Sequence, residues 1–227
     1  MKTRILIAAL IVACCAAFSN AGIVSTGDAV ALSELVDGSA TISSGDKTFD
    51  NWFYSKTGDN PDASDVQVIP VQDNTSGDYG LRFQADFHDN GGGSTSDALV
   101  SYTVHAPGPL IIGAELRANT SIGNGGKAQI VETFVPDFND ILLMVGQTST
   151  QTVLVDSVDF STSAGPATSP VAWLNVQKDI RLDGGDDPGG FAATISFVDQ
   201  LYPQVPEPSS IALLLFGLVG LVARRRR

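Results

Sequence analysis

Between Asp46 and Tyr202 the chain consists of short segments rich in β-branched, aromatic and alternating residues. Clusters of Gly, Asp, Asn and Pro separate the segments. Regularly spaced strands bounded by turn formers are typical of sandwiches and barrels. We therefore predict an all-β fold, an antiparallel β-sandwich of the Ig-like or jelly-roll kind, with no helix in the body. The ten predicted strands are 47–56, 65–72, 80–88, 97–105, 110–119, 127–135, 140–147, 151–160, 172–182 and 191–200.

The composition agrees with this fold, and the net charge limits the kinds of partner that the protein can bind. The 227 residues include 23 Gly and 11 Pro, and 21 of the 25 acidic residues are Asp, which favours turns over helices. Between Gly22 and Val205 there are seven basic and 24 acidic residues, a formal charge of −17. A body this acidic repels a phosphate backbone, so no nucleic-acid partner is expected.

Alternation assigns the two sides of the predicted strand 172–182. Leu174 and Ile180 share the apolar, inward side, and Lys178 is an intruder among them. Trp173 falls on the outward, polar side. The strand therefore has one buried and one wet face, with a lysine on the buried one.

The strand 47–56 carries aromatic residues on both sides. By strict alternation Phe49 and Phe53 oppose Trp52 and Tyr54, and no register buries all four from one side. We expect this strand either to lie between two layers or to be partly exposed.

The start of the chain has the pattern of a secretory signal peptide. Basic residues precede the apolar stretch 5–18, and small residues follow it. We predict a signal peptide over 1–21, export by the general secretion machinery, and cleavage by signal peptidase between Ala21 and Gly22. An alternative is that Cys14, within a loose lipoprotein box, is lipidated instead of being removed.

Both cysteines of the chain, Cys14 and Cys15, lie inside this predicted signal peptide. The body that remains has no thiol, so it can form no disulfide and use no sulfur nucleophile.

The other end combines a proline motif, an apolar run and a basic cluster. The run 211–223 spans about 20 Å as a helix, which is short for a membrane core of about 30 Å. The basic cluster blocks passage of the end and places it in the cytoplasm, with 22–205 outside. We predict a short transmembrane helix over 211–223. The flanking residues are Val205, Pro206, Glu207 and Pro208 before it, and Arg224, Arg225, Arg226 and Arg227 after it.

In this order the three elements over 204–227 resemble the PEP-CTERM sorting signal, found on exported proteins of Gram-negative bacteria that make extracellular polysaccharide. The resemblance implies recognition by an exosortase, with cleavage at or near Pro206-Glu207-Pro208. It also implies a transient inner-membrane intermediate, and then release to the cell surface or extracellular matrix. The predicted domains are thus the signal peptide 1–21, a β-sandwich over 22–203 and the sorting signal 204–227.

No catalytic set of residues stands out in the sequence. The body contains only His88 and His105, and no serine lies in a Gly-x-Ser-x-Gly elbow. If the strands 80–88 and 97–105 pair as a hairpin, the two histidines lie about 23 Å apart and cannot share a metal ion. We predict no catalytic residues.

Two groups of residues are candidates for ligand binding. Asp183, Asp186 and Asp187 place hard oxygen ligands in a Gly-rich loop that suits Ca²⁺, although a turn between strands is the favoured explanation of their presence. Asp137 and Asp140 form a weaker candidate of the same kind.

Exposed aromatic rings can stack on sugars, which makes the tryptophans the second group of candidates. Trp173 stands beside Asn175, Gln177 and Asp179 on one strand face, and Trp52 is a further candidate platform. The alternative for both is ordinary packing between sheets.

These observations predict an exported, exosortase-sorted protein with a structural or adhesive role and no catalysis. The alternative is a glycan-binding module, with Ca²⁺ as an optional aid and exopolysaccharide as partner. A polysaccharide hydrolase is the third hypothesis.

Overall fold

A computed structural model describes residues 22–123, 125–134, 138–160, 170–185 and 193–205, without the side chains of 138–141. Within those residues the strands form two seven-stranded antiparallel sheets packed face to face. The predicted all-β sandwich is therefore confirmed. The strands are β1 Ile23–Ser25, β2 Val30–Ala31, β3 Ile42–Ser44, β4 Lys47–Lys56, β5 Gln67–Asp73, β6 Tyr79–Asp89, β7 Thr95–His105, β8 Gly113–Ile122, β9 Lys127–Phe134, β10 Phe138–Gln147, β11 Thr152–Val153, β12 Val155–Asp159, β13 Trp173–Asp183 and β14 Ala193–Tyr202.

The two sheets each run in a fixed strand order. Sheet A has the order β1-β5-β6-β14-β8-β12, with β2 also pairing with β5. Sheet B has the order β11-β10-β9-β13-β7-β4-β3. In sheet B the strands β13, β7 and β4 lie side by side, and their side chains alternate between the core and the outer face.

An observed strand overlaps every predicted strand, and β4 has the predicted bounds. The prediction missed β1, β2 and β3, which are only two or three residues long and too short for alternation to reveal. The absence of a helix was also wrong, because α1 (Leu32–Val36) forms one short turn and a 3₁₀ turn spans Ala63–Asp65. Leu32 and Leu35 of α1 are buried in the core, so packing stabilises this turn.

The hairpin between β6 and β7, which was assumed for the distance between the two histidines, does not form. β6 pairs with β5 and β14 in sheet A, whereas β7 pairs with β13 and β4 in sheet B. Each of the two strands has an apolar side, and placing them in opposite sheets buries both sides in one core. His88 and His105 therefore lie in different sheets. His88 Nδ1 lies 2.9 Å from the carbonyl oxygen of Asp86. His105 Nε2 lies 3.1 Å from Asp50 Oδ1.

A β-bulge in β4 resolves the aromatic conflict of that strand. The pairing of β4 with β7 shifts between Asp50 and Phe53, and Asn51 adopts a φ of 54°. Because the extra residue resets the alternation, Phe49 before the bulge and Trp52 after it both point inward. The prediction that Phe49 and Phe53 share a side is therefore wrong, and Phe53 is exposed.

The space between the sheets is filled mainly by apolar side chains, including Leu81, Phe83, Val100, Ile130 and Phe134. Burial of such residues is the main stabilising contribution of the fold. The core also holds polar side chains. The predicted inward position of Lys178 is confirmed, and this residue is fully buried.

Candidate ligand-binding face

The outer surface of β4, β7 and β13 presents a continuous row of polar side chains. The inward neighbours Tyr102 and Val176 are buried in the core, so the residues between them in each strand point outward. This surface is referred to as the sheet-B face, and it consists of Asn51, Phe53, Ser101, Thr103, Trp173, Asn175 and Gln177.

Two exposed aromatic rings mark the ends of the sheet-B face. Trp173 is 46% exposed and Phe53 is 49% exposed. Trp173 pairs with His105 of β7, and Phe53 pairs with Ser101 of the same strand. Four residues along β7 and two strand spacings across separate the two positions by about 16 Å. This separation is longer than one sugar ring and suits a chain of several sugars.

Between the rings lies a polar depression of about 310 Å³, lined mainly by outward residues of the three strands. Asn51 Nδ2 donates to Thr103 Oγ1 at 3.2 Å, and Thr103 Oγ1 donates to Asn175 Oδ1 at 2.7 Å. This chain of hydrogen bonds fixes the three side chains. Among the described residues the side-chain amide of Gln177 has no hydrogen-bond partner, so this amide is available to a ligand.

Charged groups stand at the far end of the same surface. Arg181 Nε lies 3.9 Å from Asp97 Oδ1. Partial burial and the neighbouring charge of Asp97 raise the pKa of Asp179, and Arg181 opposes the rise. Two carboxylates, Asp97 and Asp179, thus accompany one guanidinium, Arg181, at this end of the face, in keeping with the acidic body as a whole.

The structure places the two predicted tryptophans differently. The outward position predicted for Trp173 is confirmed. The ring of Trp52 stacks on Tyr102 with centroids 4.8 Å apart and packs against Phe83 at 6.2 Å. Trp52 Nε1 also donates to the carbonyl of Phe49 at 3.3 Å. Trp52 therefore packs between the sheets.

Sequence reasoning missed Phe53, because strict alternation hid it. The available signal was the Asp50-Asn51 pair in the middle of the strand. Asn tolerates positive φ better than most residues, so it is a natural bulge position. A bulge at Asn51 predicts that Phe53 points outward once Trp52 points inward.

The predicted Ca²⁺ ligands are only partly within the described residues. Asp183 Oδ1 accepts from the Gly185 backbone N–H at 3.0 Å, which is the role of a turn residue. Asp186, Asp187 and Asp137, together with the side chain of Asp140, lie outside the described residues. In the described parts of the chain, no three His, Cys, Asp or Glu residues form a group able to hold a metal ion.

The last described residues are tied to the sandwich. Gln204 Nε2 donates to Asp46 Oδ2 at 2.8 Å and to the carbonyl of Pro109 at 2.5 Å. The Val205 backbone N–H donates to the carbonyl of Leu110 at 2.9 Å. The folded body therefore extends to the residue before the proline motif.

The segment that begins at this junction matches a known sorting signal. Residues 204–227 match the model of the PEP-CTERM protein-sorting motif. The chain carries a PEP-CTERM sorting motif. The resemblance inferred from the sequence is thereby confirmed, and the motif implies export with membrane-anchored sorting to the surface.

Most parts of the two terminal predictions lie beyond the described residues. These parts are residues 1–21, the helix 211–223, the residues Pro206, Glu207 and Pro208, and the cluster Arg224, Arg225, Arg226 and Arg227. Among the described residues, no helix has the length and apolar character needed to cross a membrane.

Three solved structures that are similar to this chain each share 14% sequence identity with it. The xylan-binding module CBM15 has a TM-score of 0.32 over 67% of this chain and 92% of its own. The module TmCBM27, described by its specific mannan recognition, has a TM-score of 0.32 over 82% and 100%. The Endo-D glycoside hydrolase domain of Streptococcus pneumoniae R6 has a TM-score of 0.30 over 69% and 22%. Similarity at this level carries no argument about function. No curated protein matches the chain in sequence.

Proposed function

We infer that this is an exported protein that an exosortase sorts to the cell surface or extracellular matrix, where it binds a neutral polysaccharide through the sheet-B face. The observation that carries this proposal is the pair of exposed rings, Trp173 and Phe53, on either side of a polar depression. Aromatic rings stack on the apolar faces of sugars, and amide and hydroxyl groups bind the sugar hydroxyls. Binding to the matrix would make the protein adhesive without catalysis.

The charge of the body supports a neutral ligand. With a formal charge of −17 over 22–205, the domain repels acidic polymers in the absence of bridging cations. Neutral polysaccharides carry no such penalty. The polar side chains in the depression, Asn51, Thr103, Asn175 and Gln177, are all uncharged.

Titration calorimetry tests the binding. The protein recovered from the producing cells is titrated with xylan, mannan and β-glucan, with alginate as the acidic control. We expect heat with at least one neutral polymer and none with alginate. Trp173→Ala is expected to weaken that binding at least about tenfold, or about 1.4 kcal/mol.

The matched control is Val155→Ala in β12 of sheet A, because Val155 is 53% exposed but lies in the other sheet. Its affinity is expected to equal that of the unchanged protein. The proposal is wrong if no neutral polymer binds. It is equally wrong if Trp173→Ala and Val155→Ala bind alike.

Sorting is tested separately by intact mass in cells with and without the exosortase. We propose that Glu207 is part of the recognised motif and that the processed protein ends near Val205. Glu207→Ala is then expected to keep its tail in exosortase-positive cells. Normal maturation of this variant would contradict the role proposed for Glu207.

A further inference from the structure

The fully buried Lys178 needs an explanation that ligand binding does not give. It points from β13 into the core, flanked along the strand by the buried Val176 and Ile180. A buried ammonium group is costly, and burial holds the pKa of Lys178 well below its ordinary value. Burial therefore favours the uncharged amine form of this side chain, which is the nucleophilic form.

The amine contacts two other buried polar groups. Lys178 Nζ contacts Glu132 Oε2 of β9 and Gln200 Oε1 of β14. All three residues are 0% exposed. Neither carboxylate oxygen of Glu132 makes a hydrogen bond of ordinary geometry, although Oε2 touches the amine. An amine, a carboxylate and a carboxamide thus meet in one dry site.

The three groups come from both sheets. Glu132 is the direct cross-strand partner of Lys178 in sheet B, whereas Gln200 belongs to sheet A. Next to them the hydroxyl groups of Tyr102 and Tyr202 meet at 2.6 Å and connect the same two sheets. The strands of the two sheets are therefore held at a fixed separation around Lys178.

The backbone of Gln200 is also tightly placed. Gly80 of β6 lies against it so closely that a Cβ at position 80 would be 1.7 Å from the Gln200 carbonyl oxygen. Only glycine permits this approach of β6 and β14. The position of the carboxamide is thus set by rigid strands rather than by a loop.

We propose that Lys178 and Gln200 condense to an isopeptide bond that joins the two sheets, with Glu132 transferring the proton. Lys178 Nζ attacks Cδ of Gln200, and a C–N bond forms. The Glu132 carboxylate accepts a proton from Nζ and delivers it to Nε2 of Gln200. The bond from Cδ to Nε2 then breaks, and ammonia leaves. No atom is oxidised or reduced, and Glu132 is regenerated as a carboxylate.

The carboxamide of Gln200 is the acyl donor because a carboxylate such as that of Glu132 resists nucleophilic attack through its negative charge. The product replaces a buried amine by a neutral amide, which removes a group that the core solvates poorly. An exported body without cysteine cannot form disulfides, and this bond would supply a covalent link between its sheets. The inference is independent of polysaccharide binding.

A second cluster of the same residue types serves as an internal control. Lys47 Nζ lies 2.6 Å from Gln204 Oε1 and 3.2 Å from Asp46 Oδ1. Here the Asp46 side chain is 32% exposed, so water reaches the carboxylate and it forms an ordinary salt bridge with Lys47. We expect no covalent bond at this cluster.

Intact-mass analysis of the folded protein from the producing cells is the first test. The mass is expected to be lower by one ammonia than the processed sequence requires. After trypsin digestion, the peptide 128–181 is expected to be joined to the peptide that begins at Leu182. A mass equal to that of the processed sequence would overturn the proposal. A loss of water with Lys178 joined to Glu132 within 128–181 would also overturn it.

Three variants separate the roles. Glu132→Gln and Lys178→Arg are each expected to restore the full mass, because one removes the proton acceptor and the other the nucleophile. Lys47→Arg is expected to keep the loss of ammonia. Ammonia loss that persists in Lys178→Arg would contradict the assignment. Should the two core variants fail to fold, the peptide map of the unchanged protein decides alone.

Discussion

The two tryptophans of the chain both belong to sheet B, but their side chains lie on opposite faces of it. Trp52 follows the bulge in β4 and stacks on Tyr102 between the sheets. Trp173 begins β13 and leaves nearly half of its surface in contact with solvent. The same residue type thus stabilises the core at one position and is free to bind a ligand at the other. Strand register, and not residue type, decides which.

Trp52→Ala is expected to cause the largest loss of stability among the substitutions that separate the two faces of sheet B. Truncating a large packed aromatic side chain leaves a cavity against Tyr102 and Phe83, which costs about 3 to 5 kcal/mol. Chemical denaturation measures this loss in the free energy of unfolding. Trp173→Ala is the control and is expected to stay within about 0.5 kcal/mol. Equal losses in both variants would remove the distinction between the two tryptophans.

A smaller loss is expected from Tyr102→Phe. The change removes a hydroxyl that is 2.6 Å from the Tyr202 hydroxyl and leaves Tyr202 buried without this partner. An unpaired buried hydroxyl costs about 1 to 3 kcal/mol, measured by the same denaturation experiment. Stability equal to that of the unchanged protein would mean that this hydrogen bond does not help to hold the sheets together.

The bulge itself is tested by substitution of Asn51. Asn51 has a φ of 54°, which alanine adopts only with strain. Asn51→Ala is therefore expected to lower the free energy of unfolding by about 1 to 2 kcal/mol, whereas Asn51→Gly lowers it less because glycine adopts this φ freely. Both variants lose the hydrogen bond to Thr103, so the difference between their free energies of unfolding reports the backbone strain alone. If alanine is tolerated as well as glycine, the bulge does not depend on this conformation.

The smallest change in stability is expected for Phe53→Ala, because its ring is half exposed. The free energy of unfolding is expected to change by no more than about 0.5 kcal/mol. The affinity for a neutral polysaccharide is expected to fall by severalfold, as measured by calorimetry. An unchanged affinity would restrict the binding surface to the end of the face that holds Trp173.

Sequence patterns predicted the sandwich, the long strands and the outward position of Trp173, because each depends on local alternation. The β6–β7 pairing assumed for the two histidines does not form, because strand partners depend on which sheets bury their apolar sides. Alternation within a strand does not reveal this. The exposure of Phe53 was missed because one extra residue at Asn51 reverses the pattern. Lys178 was visible as an intruder, but its partner Gln200 comes from the opposite sheet and no spacing in the sequence indicates it.

The binding face is tested most directly by the fluorescence of Trp173 alone. In a Trp52→Phe variant Trp173 is the only tryptophan, and quenching by acrylamide reports how exposed its ring is. We expect that a neutral polysaccharide which binds in calorimetry shields Trp173 from the quencher. The complementary Trp173→Phe variant is expected to show no change at Trp52. If the quenching of Trp173 stays the same while the polysaccharide is bound, the sheet-B face is not the binding surface.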